Sequence, residues 1–171
     1  MKSLAERLVC EIRWRIVHRI VKVRVSLKEW GHNVVSNLCA VCGQRESIEH
    51  CFLSCKRVRR AWVWVLDLVG KWRGSFRICV EHVFLGLIEQ GRVGSVVMYL
   101  VETMLYVIWK VRNRATFDNV IVPSSEIVRF CKYEVRCRLK AERYRLSVLS
   151  FKEIWCAGNV LCSSHDSAIL F

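Results

Sequence analysis

The sequence predicts a mainly α-helical domain with a small cysteine–histidine knuckle embedded in it. Three observations carry that reading. Apolar residues recur at spacings of three and four along most of the 171-residue chain. Hydrophobic residues make up 53%, with seven Trp, four Tyr and seven Phe, enough for a core and too many for a disordered chain. Four cysteines and a histidine crowd into residues 39–55, at spacings that bring side chains to one point.

The elements follow in order. Ser3 and Glu6 stand at capping-box spacing and open a helix whose apolar row is Leu8, Val9, Ile12, Ile16 and Ile20. Arg13, Arg15, Arg19 and Lys22 take its other faces. Val21, Val23 and Val25 alternate, so the stretch after this helix also fits a short strand. A second helix is expected over 58–69, with Ala61, Trp62, Val65, Leu66 and Val69 on one side and Gly70 as its stop. The central helix, 95–117, is apolar on nearly every face through Trp109, which predicts burial among neighbours. Pro123, Ser124, Ser125 and Glu126 open the last helix. Its core row is Val128, Cys131, Val135, Leu139 and Leu146, and a basic row runs beside it through Arg129, Lys132, Arg136, Lys140 and Arg143. Residues 157–171 are small and mixed and read as a loosely held tail. The expected division is 1–66 as knuckle domain with a basic N-terminal helix, 67–156 as a helical extension, and 157–171 as tail.

Charge narrows the partners. The formal net charge is +13, from 28 basic and 15 acidic residues. The excess sits in residues 1–60 and 121–150, while 61–90 is balanced and apolar. A small chain of this charge favours a polyanion, either nucleic acid or an anionic membrane surface. The apolar run at 96–111 is interrupted by Glu102 and Lys110 and falls short of a membrane span. Charged residues through the first fifteen positions argue against a secretory signal, so an intracellular, reducing setting is expected. Ten cysteines there read as thiols or metal ligands, not as a disulfide framework.

The knuckle is CAVCGQRESIEHCFLSC, or Cys39-x2-Cys42-x7-His50-x4-Cys55. Two cysteines three apart on a tight turn aim both sulfurs at one point, and Gly43 lets that turn close. Ser47 is placed to cap a short helix that carries His50, and Cys55 completes a tetrahedron. Three thiolates and an imidazole fill the shell of one Zn²⁺, and a filled shell marks a structural ion. Cys51, beside His50, is the competing ligand and is expected to point into the local core. A redox Cys-x2-Cys pair would call for a βαβ pattern, which is missing. Cys156, Cys162 and His165 make a weaker three-ligand set near the C-terminus.

With those residues in place, the stretch SLKEWGHNVVSNLCAVCGQRESIEHCFLSCKRVRRAW resembles the zinc-binding domain that follows the polymerase in LINE-type, non-LTR retrotransposon reverse transcriptases. Leu27, Trp30, Gly31, Cys39, Cys42, Gly43, Glu46, Glu49, His50, Phe52, Cys55 and Trp62 occupy the positions of that pattern. Lys56 departs from it, standing where proline is usual, and leaves the ligand set intact. Trp109, Arg112, Asn113 and Phe117 resemble the Trp-x2-Arg-Asn motif of the C-terminal extension in the same proteins, and the chain's last residues resemble their end. The resemblance implies one structural zinc, RNA or DNA as partner with RNA preferred, and association with a polymerase or ribonucleoprotein.

The chemistry of catalysis is not legible here. Polymerase, ribonuclease H and endonuclease centres need clustered carboxylates for metal ions. The aspartates are Asp67, Asp118 and Asp166, scattered and unpaired. His18, His32, His82 and His165 are isolated. The reading is therefore a non-catalytic nucleic-acid-binding module. Lys56, Arg57, Arg59 and Arg60 are its first phosphate contacts, the Arg129–Arg143 row a second set, and Trp30, Phe52 and Trp62 the candidates for base stacking. Packing around the knuckle is the competing role for those aromatics. The competing function is a zinc-stabilised helical scaffold that binds protein partners only.

Overall fold

The computed structural model describes residues 4–73 and 92–142, and the side chains of 11–67 and 98–137. It is helical, with no strand among the described residues. Among the described residues five α-helices follow in order: α1 (Leu4–Val17), α2 (Arg24–Glu29), α3 (Arg59–Arg73), α4 (Arg92–Phe117) and α5 (Ser124–Glu142). A single π-helical turn, His50–Ser54, lies between α2 and α3. Helix α4 is the hub. It packs against α1, α3, α5 and the π-turn.

Helix α1 buries Ile12 and Ile16 as the apolar row predicts, but Ile20 is exposed. The reason is a helix stop. Arg19 takes a left-handed φ of 56°, the Ile20 N–H reaches back to the Arg15 carbonyl (2.9 Å) and the Arg19 N–H to that of Ile16 (3.0 Å). This is a Schellman closure, and it swings Ile20 off the helix face. The alternating valines beyond it form no strand. Val21 and Val23 plug the core on the way into α2, where Val25 is also buried.

Helix α3 does not stop at Gly70 and continues to Arg73. A mid-helix glycine costs only about 1 kcal/mol relative to alanine. The buried row Ala61, Trp62 and Val65, set against α4 and α5, outweighs that. Helix α4 begins three residues before the expected 95 and buries Leu100, Val101, Met104, Leu105, Val107, Ile108 and Val111, which bears out a buried central helix. Its Trp109 is only half-buried, with one ring face on the π-turn, so the expectation of a fully packed ring fails. Helix α5 presents Ile127, Cys131 and Val135 to the core, with Val128 at its margin. Ser3, the C-terminal tail, and the side chains of Val69, Leu139 and Lys140 lie outside the described residues, as do Arg143 and Leu146.

One hydrophobic cluster runs from Ile12 through Cys39, Cys51, Phe52 and Cys55 to Trp62, Ile108 and Val135. The knuckle therefore has no core of its own. It is packed on α3 and α4.

Candidate metal centre and basic surfaces

The knuckle starts where α2 ends. Gly31 sits at φ +82°, with the His32 N–H bonded to the Leu27 carbonyl (3.0 Å) and the Gly31 N–H to that of Lys28 (3.1 Å). The Leu27-x2-Trp30-Gly31 lead-in is thus a helix C-cap that needs glycine at the left-handed position. Leu38 and Arg45 then form an isolated antiparallel bridge, and the chain between them folds into a tight loop with the Gly43 N–H on the Cys39 carbonyl (2.9 Å). Gly43, at φ +72°, is where the loop turns back. Ser47 Oγ accepts the His50 N–H (3.0 Å), the cap expected from sequence, although the segment it caps is the π-turn.

These pieces bring four donors together. The Sγ atoms of Cys39, Cys42 and Cys55 and a ring nitrogen of His50 all lie within 4.8 Å of one another. Cys42 Sγ stands 3.9 Å from Cys55 Sγ and 3.2 Å from His50 Nε2. Sulfurs at about 2.3 Å from a tetrahedral zinc stand about 3.8 Å apart, so the set needs little adjustment to hold the ion. The surroundings favour a thiolate at Cys39. A hydrogen bond from the Cys55 thiol pulls the Cys39 thiol well below its ordinary pKa against the opposing cost of burial, and the Val41 and Cys42 N–H groups add to the pull. At Cys55 the same shared hydrogen bond with Cys39, together with burial, pushes the thiol up, and the Arg57 N–H pulls the other way. Cys51 is excluded from the set. It faces the core, and burial, aided by the charge of Glu46, pushes its thiol up to about 12. Cys51→Ala should therefore retain zinc while His50→Ala loses it, as metal analysis of the two variants would show.

Glu46, between the two halves of the ligand set, organises the rest. Its Oε1 accepts from Arg112 Nη2 (2.5 Å) and Nε (3.2 Å), and from the Arg24 N–H that opens α2 (3.0 Å). Both side chains are buried, at 3% exposure for Arg112 and 2% for Glu46. The guanidinium lies 5.0 Å from the centroid of Trp109, whose ring stacks on Phe52 at 6.2 Å. Trp62 Nε1 donates to the Phe52 carbonyl (2.6 Å). The Trp-x2-Arg segment of α4 is thus clamped to the knuckle, with Arg112 meeting the carboxylate that caps α2 instead of a helix end directly.

The predicted phosphate contacts divide. Lys56, Arg59 and Arg60 are exposed at the start of α3. Arg57 is not. It is 4% exposed, because the turn from Cys55 into α3 points it inward beside Val58, and its Nε and Nη1 find no hydrogen-bond partner. Phe52 and Trp62 are buried and cannot stack on a base, whereas Trp30 remains 46% exposed. On α5, Arg129 is exposed and paired with Glu126 (2.5 Å), Lys132 lies over the Trp64 ring (5.9 Å), and Arg136 is half-buried. Lys140 is on the same helix. The row's α4 neighbours, Lys110 and Arg114, escape the sequence reading as phosphate contacts, although their i, i+4 spacing is visible there. Cys156, Cys162, His82 and His165 lie outside the described residues. No described helix is long and apolar enough to cross a membrane.

Comparison with known proteins agrees with this centre. Residues 2–62 match the family model described as zinc-binding in reverse transcriptase. No curated protein and no solved structure matches the chain. The matched segment ends at Trp62 and encloses all four donors and Glu46. Residues 2–62 thus resemble the zinc-binding domain of reverse transcriptases, and Cys39, Cys42, His50 and Cys55 are the residues placed to hold its metal ion.

Proposed function

We propose that the chain is a non-catalytic nucleic-acid-binding module, derived from the C-terminal part of a non-LTR retrotransposon reverse transcriptase, with RNA as the preferred partner. Zinc, when bound, supplies a rigid anchor at Cys55. From that anchor Lys56, Arg59 and Arg60 reach phosphates, and Trp30 offers an aromatic face to an unpaired base.

The observation that carries the reading is where those charges stand. Helix α3 has no acidic residue in its first turn, and Arg59 and Arg60 fall there instead. Cations at the positive end of a helix dipole oppose it, by about 0.3–1 kcal/mol each. Their placement does nothing for the helix, and an anionic partner at the same end would reverse the sign, since the dipole favours phosphate there. The scattered aspartates of the sequence support a non-catalytic role.

Reversing Lys56, Arg59 and Arg60 to Glu tests this. Binding should weaken alike across RNA and DNA sequences, and the salt slope should flatten by about 0.7–0.9 for each phosphate no longer held. Zinc content should stay at the parent's level, because none of the three is a donor. Unchanged binding at every salt concentration would sink the proposal and move the protein-scaffold function ahead.

A further inference from the structure

Helices α4 and α5 line a groove of about 760 Å³. Its floor includes Val107 and Val111 of α4. Its walls carry Lys110 and Arg114 from α4 and Arg129, Lys132 and Arg136 from α5, five cations against the single carboxylate of Glu134. Lys110 is paired with Glu134 (3.1 Å) and Arg129 with Glu126, so two of the five cations are met by carboxylates. Arg114 is exposed at its mouth. Two aromatic rings, Phe130 and Tyr133, interleave with the cations, and Tyr133 is 64% exposed. Lys132, which lines the groove, also lies over Trp64, one helical turn along α3 from Arg60.

We infer that this groove is a second binding surface, for single-stranded nucleic acid, in which the cations hold successive phosphates and Tyr133 stacks on a base. Charge selects a polyanion. The exposed ring selects a single strand, because a duplex keeps its base faces stacked on one another and offers only phosphates to such a wall. The inference rests on the reading that the chain binds nucleic acid and adds a site outside the zinc-binding segment.

The test uses the zinc-loaded chain with a fluorescently labelled oligouridine and a duplex DNA of equal length. Tyr133→Ala should weaken oligouridine binding by about tenfold, the scale of one base stacked on an aromatic ring. Duplex binding should hold, and Tyr133→Phe should restore the parent affinity for oligouridine. Arg114→Glu combined with Lys132→Glu should weaken both ligands and lower the oligouridine salt slope by about 1.4, the share of two phosphates. Both sets alter exposed or marginal positions, and unchanged zinc content and circular dichroism confirm the fold. If neither set changes oligouridine binding while the Lys56, Arg59 and Arg60 reversal does, the groove is not a site and the α3 surface stands alone. If the groove variants weaken binding and the α3 reversal does not, the groove is supported and the α3 assignment falls. A parent chain that binds neither ligand overturns both.

Discussion

Stripping zinc from the purified protein should unfold the knuckle and loosen the helices packed on it. The four donors come from three separate pieces of chain: the Cys39–Cys42 loop, the π-turn at His50, and Cys55 on the way into α3. Apart from the ion, packing against α3 and α4 and the Glu46–Arg112 pair hold those pieces in register. One isolated bridge and a few loop hydrogen bonds are their backbone support. Apparent binding free energies for structural zinc in such modules are about 10–16 kcal/mol, as large as the whole stability of an ordinary domain. Without the ion, three thiols and an imidazole are left crowded in a mostly buried site. The effect should spread, because Cys51, Phe52 and Cys55 belong to the same cluster as Trp62 and Ile108. One zinc per chain is expected by elemental analysis. Cys39→Ser, Cys42→Ser, His50→Ala or Cys55→Ser should each abolish it, and chelation should collapse the near-ultraviolet dichroism from Trp62 and Trp109. Protein that purifies without zinc yet keeps that spectrum would count decisively against the donor set.

The ligand set is readable in the sequence because its geometry is local. Cys-x2-Cys with a following glycine, a serine three residues before the histidine, and a final cysteine all act within one short loop, and the structure keeps every one of those roles. Helix existence is readable for the same reason, since each buried row follows its own period. What is not readable depends on contacts across the fold. Gly70 looks like a stop until the packing of α3 is known. Ile20 fits the α1 row until Arg19 turns left-handed. Arg57 is one of four neighbouring cations in sequence, and only the turn after Cys55 separates it from Lys56, Arg59 and Arg60. The basic groove needs α4 and α5 to be brought side by side. Glu46 and Arg112 stand far apart in the chain, and nothing in either segment announces the other.

That pair carries the second large effect. Arg112→Ala leaves the Glu46 carboxylate buried without its cation, and Glu46→Ala does the reverse. Breaking one side of a buried ion pair costs about 3–5 kcal/mol, most of it the penalty on the charge left behind. Glu46→Ala removes the cap on the Arg24 N–H as well, so it should be the worse of the two. For a chain of this size each kcal/mol lowers the melting temperature by about 2–4 °C, so both variants should melt at least about 6 °C below the parent. Arg112→Lys keeps the charge but not the two-pronged contact to Oε1, and should fall between. The double variant Glu46→Leu with Arg112→Leu removes both charges and should lose much less than the two alanine losses summed. That non-additivity separates a buried ion pair from simple loss of packing, which would add. The same series decides what the Trp109-x2-Arg112 motif is for. If it clamps α4 to the knuckle, destabilisation should appear in the melt, and the folded fraction of Arg112→Ala should bind nucleic acid as the parent does. A variant that melts with the parent but loses binding would place Arg112 at the ligand and take the clamp away.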